Sequence, residues 1–222
     1  NRPMPPEVLP VVEKILSAND RSALENRKLL DEHGILSVNV MASPGAGKTS
    51  LILRSIEALR GRLRVGVIEG DVAGHVDADK VAESGTPVVQ INTGGGCHLD
   101  ASQVQSALER LPLEKIDLLF IENVGNLICP TGFALGEHVN MMIANVPEGH
   151  DKPIKYPGMF TTVDALILNK IDLMPFIDFD LEAFRTAVRA LNANAPLFQV
   201  SCKTAEGIGA WAEWLLTQSR AR

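Results

Sequence analysis

The apolar run Ile35-Leu36-Ser37-Val38-Asn39-Val40-Met41 leads straight into Ala42-Ser43-Pro44-Gly45-Ala46-Gly47-Lys48-Thr49, and a helical pattern follows to about Arg60. A strand, a tight turn of small residues and a helix is the order this stretch requires. Small residues let successive backbone N–H groups curl around a phosphate, and the helix N-terminus adds partial positive charge. Ala42 stands where the usual G-x-x-x-x-G-K-[ST] pattern has its first glycine. In this reading Gly45, Ala46, Gly47, Lys48, Thr49 and Ser50 hold a nucleotide. Lys48 reaches the β- and γ-phosphates and the Thr49 hydroxyl ligates Mg²⁺.

A second pattern selects the base. Ala165-Leu166-Ile167-Leu168 reads as a buried strand and ends in Asn169-Lys170-Ile171-Asp172. Guanine presents N1–H and an N2 amino group on one edge, and the Asp172 carboxylate can accept both. Adenine cannot supply that pair, so the buried acceptor would be left half-unpaired. Asn169 is expected to brace the loop and Lys170 to lie along the base. A later strand, Leu197 to Val200, ends in Ser201-Cys202-Lys203, whose backbone N–H suits the guanine carbonyl. GTP and GDP are therefore the expected nucleotides.

Leu118-Leu119-Phe120-Ile121 ends in Glu122-Asn123-Val124-Gly125, a variant of D-x-x-G with Glu in place of Asp. Glu122 is the expected Mg²⁺ ligand, directly or through water, and the Gly125 N–H faces the γ-phosphate. Asp71, at the acidic tip of Val65 to Asp71, is the expected second, switch-type Mg²⁺ contact. Lys48, Thr49, Asp71 and Glu122 make up the expected catalytic set. Asn126, not a glutamine, follows Gly125, so slow intrinsic hydrolysis is expected, with turnover below about 1 s⁻¹.

Apolar runs alternate with helical patterns through the rest of the chain. Strands are expected near 35–42, 64–70, 87–91, 117–122, 165–169 and 196–201, with a further one within 138–144. Helices are expected near 48–60, 76–84, 101–111, 180–192 and 207–218. This is an α/β P-loop NTPase pattern: a mostly parallel sheet with helices on both faces. Residues 1–34 read as an N-terminal helical extension and 35–222 as a GTP-binding (G) domain. The extension looks like two helices, the second capped at Asn19 or Asp20 and stopped by Gly34. Residues 145–162 read as a long surface loop, and Trp211 and Trp214 as packing residues of the last helix.

The formal charge of −6 argues against a nucleic-acid surface. No apolar run approaches the ~18 residues of a membrane span, and no signal peptide is evident. Three cysteines in such a chain suggest thiols rather than a disulfide framework. The cytoplasm is the expected location.

Two further loops carry softer chemistry. Thr93-Gly94-Gly95-Gly96-Cys97-His98-Leu99-Asp100 places adjacent Cys and His in a three-glycine loop, and Asn126-Leu127-Ile128-Cys129-Pro130 adds a thiol just past the Mg²⁺-sensing segment. Two thiolates and an imidazole suit Ni²⁺ or Zn²⁺. They are too few for a closed four-coordinate site, so water, a partner or a second copy must complete the shell. Cys129 lies on the segment expected to move when the γ-phosphate leaves, which suggests that nucleotide state governs metal binding.

The phosphate loop, Glu69-Gly70-Asp71, the Gly-Cys-His loop, the stretch from Glu122 to Pro130 and Asn169 to Asp172 together closely resemble the hydrogenase nickel-incorporation GTPases, the HypB family. The resemblance covers nearly all of residues 35–210. It implies a cytoplasmic factor for the maturation of nickel-iron hydrogenase. It also implies GTP-dependent homodimerisation, with nickel or zinc on Cys97, His98 and Cys129 near the dimer interface. The implied partners are a nickel metallochaperone and the hydrogenase large-subunit precursor, with no role for nucleic acid or membrane. The alternatives are a metal-independent regulatory GTPase switch and a GTPase chaperone for a urease or cobalamin enzyme. Urease accessory GTPases carry Cys-Pro-His, whereas Cys97 and His98 are adjacent here.

Overall fold

The computed structural model describes residues 11–72, 74 and 76–222. In chain order the elements are α1 (Val11–Glu32), β1 (Leu36–Ala42), α2 (Lys48–Leu59), β2 (Val65–Asp71), α3 (Val76–Glu83), β3 (Val88–Asn92), α4 (Ala101–Leu108) and β4 (Leu118–Glu122). There follow β5 (Val139–Asn145), α5 (Lys152–Lys155), α6 (Pro157–Thr161), β6 (Ala165–Asn169), α7 (Leu181–Leu191), β7 (Leu197–Gln199) and α8 (Ile208–Arg220).

The strands form one seven-stranded sheet in the order β3-β2-β4-β1-β5-β6-β7, and every pairing is parallel. Such a sheet needs cover on both faces, and the strands are apolar in both directions to match. Alternate residues sort to opposite sides. Val38, Phe120, Met141 and Ile167 meet Leu51, Ile52, Trp211 and Leu215 of α2 and α8. On the other face, Ile68, Leu119 and Ile121 pack with Leu30 of α1 and Val104 and Leu108 of α4. Further along that face, Met142, Leu166 and Leu168 pack with Phe160, Phe184 and Val188 of α6 and α7. Trp211 is fully buried, and its indole N–H donates to Ser55 Oγ at 3.0 Å, which removes the cost of burying that donor.

Two expectations need correction. The extension is one continuous helix from Val11 to Glu32 across Asn19 and Asp20. Asn19 caps nothing there; its amide donates to Ala134 O and its oxygen accepts the Ala101 N–H. Tertiary partners outbid the local cap. The helix does stop before Gly34, whose N–H closes back to Asp31 O. Its expected start near Pro5-Pro6 lies outside the described residues. Residues 145–162 are not one surface loop. They form a 3-10 turn, α5 and α6, and bury Met159 and Phe160.

All of β1, β4, β2 and β6 point their carboxyl ends toward one edge of the sheet, so the loops that follow them converge there.

Candidate functional site

The loop after β1 turns through Gly45 and Gly47, both at positive φ. A Cβ on Gly47 would overlap the Asn169 amide, so the position excludes side chains on two counts. The 169–172 segment is strapped to the phosphate loop. Asn169 Nδ2 donates to Ala46 O at 3.1 Å and Lys170 Nζ to Gly45 O at 2.9 Å. Asn169 Oδ1 accepts the Cys202 N–H at 3.2 Å, and Ser201 Oγ donates to Asp172 Oδ1 at 2.7 Å. A cleft of about 440 Å³ opens among Asn169, Lys170, Asp172, Cys202 and Lys203. A second, of about 260 Å³, opens on Lys48, Thr49, Asp77, Lys80 and Glu122. Both are lined by Gly47 and Ser50, so the cleft at the 169–172 segment, the expected base end, adjoins the one at Lys48 and Thr49, the expected phosphate end. Burial pushes the Cys202 thiol up to about 11, so it is a neutral wall of the base cleft.

At the phosphate end Thr49 Oγ1 donates to Glu122 Oε1 at 2.9 Å. Glu122 sits in register with Glu69 on the neighbouring strand, and Glu69, Asp77 and Glu122 bring carboxylate oxygens within 4.8 Å of one another. Both glutamates are buried. Burial, then the Glu122 charge, pushes Glu69 up to about 8. Burial pushes Glu122 up to about 7 against the pull of Lys48 and Thr49. Asp71 is placed differently. Its carboxylate accepts the N–H groups of Val72 and Gly74 in its own turn.

Gly125 passes directly over the phosphate loop; a Cβ there would lie 3.0 Å from Pro44 Cα and N. The next residue, Asn126, donates its N–H to Ala42 O at 2.9 Å. Its side chain accepts the N–H groups of Ile128 at 2.8 Å and Cys129 at 3.2 Å. From there the chain reaches the soft ligands. The ligand atoms of Cys97, His98 and Cys129 all lie within 4.8 Å of one another. Cys97 Sγ is 3.3 Å from His98 Nδ1, and the imidazole stacks on Phe133 with centroids 4.0 Å apart. Phe133 follows the 3-10 turn of Cys129–Gly132, so this stack locks the two ligand loops together. The hydrogen bond with Cys97 raises the Cys129 pKa above the ordinary thiol value. Cys97 is exposed and the other two are half-buried; Ile128 beside them is 70% exposed. The cluster therefore has an open side.

The model of the CobW/HypB/UreG nucleotide-binding domain matches residues 36–199. Hydrogenase maturation factor HypB of Azotobacter vinelandii is 47% identical over 97% of this chain and 71% of its own length. The chain belongs to the HypB family of hydrogenase maturation factors. The probable HypB of Methanocaldococcus jannaschii is 42% identical over 94% of each chain. A crystal structure of HypB from Helicobacter pylori in complex with nickel superposes with a TM-score of 0.88 at 36% identity. That match covers 92% of this chain and 96% of the neighbour. The fold is thus that of the P-loop NTPases, as the alternation of strands and helices implies, and HypB membership implies nucleotide hydrolysis.

Glu69 and Asp77 join Glu122 in the carboxylate cluster, and reading the sequence singled out neither as a metal ligand. Glu69 interrupts an apolar strand as Glu122 does, and only the register of β2 on β4 shows that the two face each other. Thr49, Glu69, Asp77 and Glu122 form a hard-oxygen donor set, and Glu69 Oε2 is buried without a hydrogen-bond partner. Such a set fits Mg²⁺. No helix among the described residues is long and apolar enough to cross a membrane.

Proposed function

We propose that this chain is a GTP-hydrolysing metallochaperone that carries Ni²⁺, or Zn²⁺, on Cys97, His98 and Cys129 and assists nickel insertion into nickel-iron hydrogenase. The observation that carries this reading is the path from phosphate loop to thiol: Ala42 to Asn126 to Cys129, by two hydrogen bonds. The nickel complex of the related Helicobacter pylori HypB supports the cargo. Chain membership among hydrogenase maturation factors supports the destination.

Each residue has a role that follows from its place. Asp172, held by Ser201, accepts the paired donors of guanine, and Asn169 keeps the base cleft in register with the phosphate loop. Lys48 and the N–H groups of Gly45 to Ser50 bind the phosphates. Thr49 and Glu122, with Glu69 and Asp77 beside them, hold Mg²⁺. When bound, Mg²⁺ neutralises the charge that develops on the phosphates. Asn126 has its side-chain oxygen committed to Ile128 and Cys129, which leaves it poorly placed to orient an attacking water and favours slow turnover. Loss of the γ-phosphate frees Gly125, and Asn126 passes that movement to Cys129.

Three protein ligands and one open side leave coordination for a second copy of the chain, and GTP-dependent dimerisation would supply it. The open side also lets a nickel metallochaperone and the hydrogenase large-subunit precursor approach the ion. This work belongs in the cytoplasm, where thiols remain reduced. Phosphate release from GTP with Mg²⁺, measured with and without Ni²⁺, tests the reading. Turnover below about 1 s⁻¹ that Thr49→Ala abolishes is expected. Absence of GTP turnover together with absence of Ni²⁺ binding would overturn it.

A further inference from the structure

Arg54 lies on α2, one helical turn beyond Ser50, and it lines neither of the two clefts. Its guanidinium instead reaches across to the 201–203 loop. Nε donates to Cys202 O at 2.7 Å and Nη2 to Lys203 O at 3.2 Å. Nη1 is held by Glu57 Oε2 at 2.9 Å, three residues on along the same helix. The loop is therefore gripped from two sides. Asn169 takes the Cys202 N–H and Arg54 takes the Cys202 carbonyl.

That grip extends to the carboxylate that reads the base. Ser201, which precedes Cys202, donates to Asp172 Oδ1 at 2.7 Å and accepts the Thr204 N–H at 3.1 Å. Shift the loop and the Asp172 carboxylate loses its brace. The helix that carries Arg54 begins at the phosphate loop itself. One rigid element thus sets the spacing between where the phosphates bind and where the base is read.

We propose that Arg54 is a positioning residue for base selection: it holds the 201–203 loop, and through Ser201 the Asp172 carboxylate, at the spacing that accepts guanine and rejects adenine. This rests on the guanine reading of the cleft. A guanidinium suits the task because its donors lie in a fixed fork and bond two adjacent carbonyls and a carboxylate together. A lysine ammonium can satisfy one carbonyl but not hold the plane. With Arg54 truncated, the loop relaxes away from the base carbonyl and the adenine amino group is no longer turned away. Selectivity falls while the phosphate contacts, at the start of α2, persist.

Calorimetric titration of the whole chain with Mg²⁺-GDP and Mg²⁺-ADP tests this, using the native protein, Arg54→Ala, Arg54→Lys and Arg54→Gln. Arg54→Ala should lower the ratio of GDP to ADP affinity about tenfold. Arg54→Lys should recover part of it. The KM for GTP should rise with kcat unchanged. A parallel loss of GDP and ADP affinity would mark a merely structural residue and overturn the proposal, as would an unchanged ratio in all three variants. If the native protein itself shows no preference for GDP, the guanine reading fails first, and that result is visible without any variant.

Discussion

The side-chain oxygen of Asn126 accepts the backbone N–H of Cys129 at 3.2 Å. The Asn126 N–H is itself bonded to Ala42 O at 2.9 Å, at the start of the phosphate loop. The backbone of Cys129 and the start of the phosphate loop are thereby held by opposite ends of one residue. Asn126→Ala removes the side-chain half of that link and leaves the backbone half. The variant should still bind nucleotide, but its Ni²⁺ affinity should fall about tenfold and lose much of its dependence on nucleotide, as expected of a residue that orients a ligand. Metal titration in both nucleotide states checks this; native-like behaviour would show that the link carries no coupling.

The base end offers a change of specificity. In the proposed function Asp172 accepts from the N1–H and N2 amino groups of guanine. Asp172→Asn replaces one acceptor with an amide donor, which suits the C2 carbonyl of xanthine. Affinity for GDP should fall at least about a hundredfold and that for XDP should rise. Competition binding with the two diphosphates measures the exchange. Retained GDP preference would remove Asp172 from the base site.

Glu69 and Glu122 predict how stability varies with pH. Glu69 titrates near 8 in the folded chain, against an ordinary value of 4.5, because it is buried and faces Glu122. Between those values the folded state keeps a proton that the unfolded chain has released, so Glu69's contribution falls as pH rises through the window. Glu122, raised to about 7, acts in the same direction. His138 acts oppositely at the acid end, since burial lowers it to about 4. The clean measurement is therefore a difference. Without Mg²⁺ or nucleotide, Glu69→Gln should gain in Tm over the native chain as pH rises from about 5 to 8. Parallel Tm profiles would contradict the buried, proton-holding Glu69.

The sheet and α8 meet through Trp211. It is fully buried, packs against Phe198 with ring centroids 5.5 Å apart and satisfies its N–H on Ser55. Trp211→Ala should cost about 3–5 kcal/mol, and Ser55→Ala about 1–3 kcal/mol for the orphaned indole donor. Urea unfolding measures both; a loss under about 1 kcal/mol for Trp211→Ala would mean that the helix is not part of the core.

Most of the sheet is legible in the sequence because its strands carry their own signal. β4 and β6 are apolar runs up to their last residue, β1 is apolar but for Ser37 and Asn39, and each leads into a motif with a recognisable physical use. The Cys97, His98 and Cys129 cluster is legible because soft ligands in glycine-rich loops have few other roles, and the structure brings these ligand atoms together. Three features are hidden for a common reason. Asn19 looks like a cap, yet it is spent on Ala134 and Ala101. Glu69 looks like one position of an apolar strand and Asp77 like one of a helix, yet their carboxylates gather with that of Glu122. Met159 and Phe160 lie in a polar stretch, yet they are buried beside α7. In each case a partner distant in sequence decides the outcome, and local pattern does not encode it.

The most direct test is anaerobic titration of Ni²⁺ into the chain loaded with GDP and with a non-hydrolysable GTP analogue, repeated with Cys97→Ser and Cys129→Ser. A nucleotide-gated carrier binds Ni²⁺ with affinities that differ at least about fivefold between the two states, and loses that binding in either variant. Equal affinities in both states, or binding indifferent to both cysteines, would contradict it.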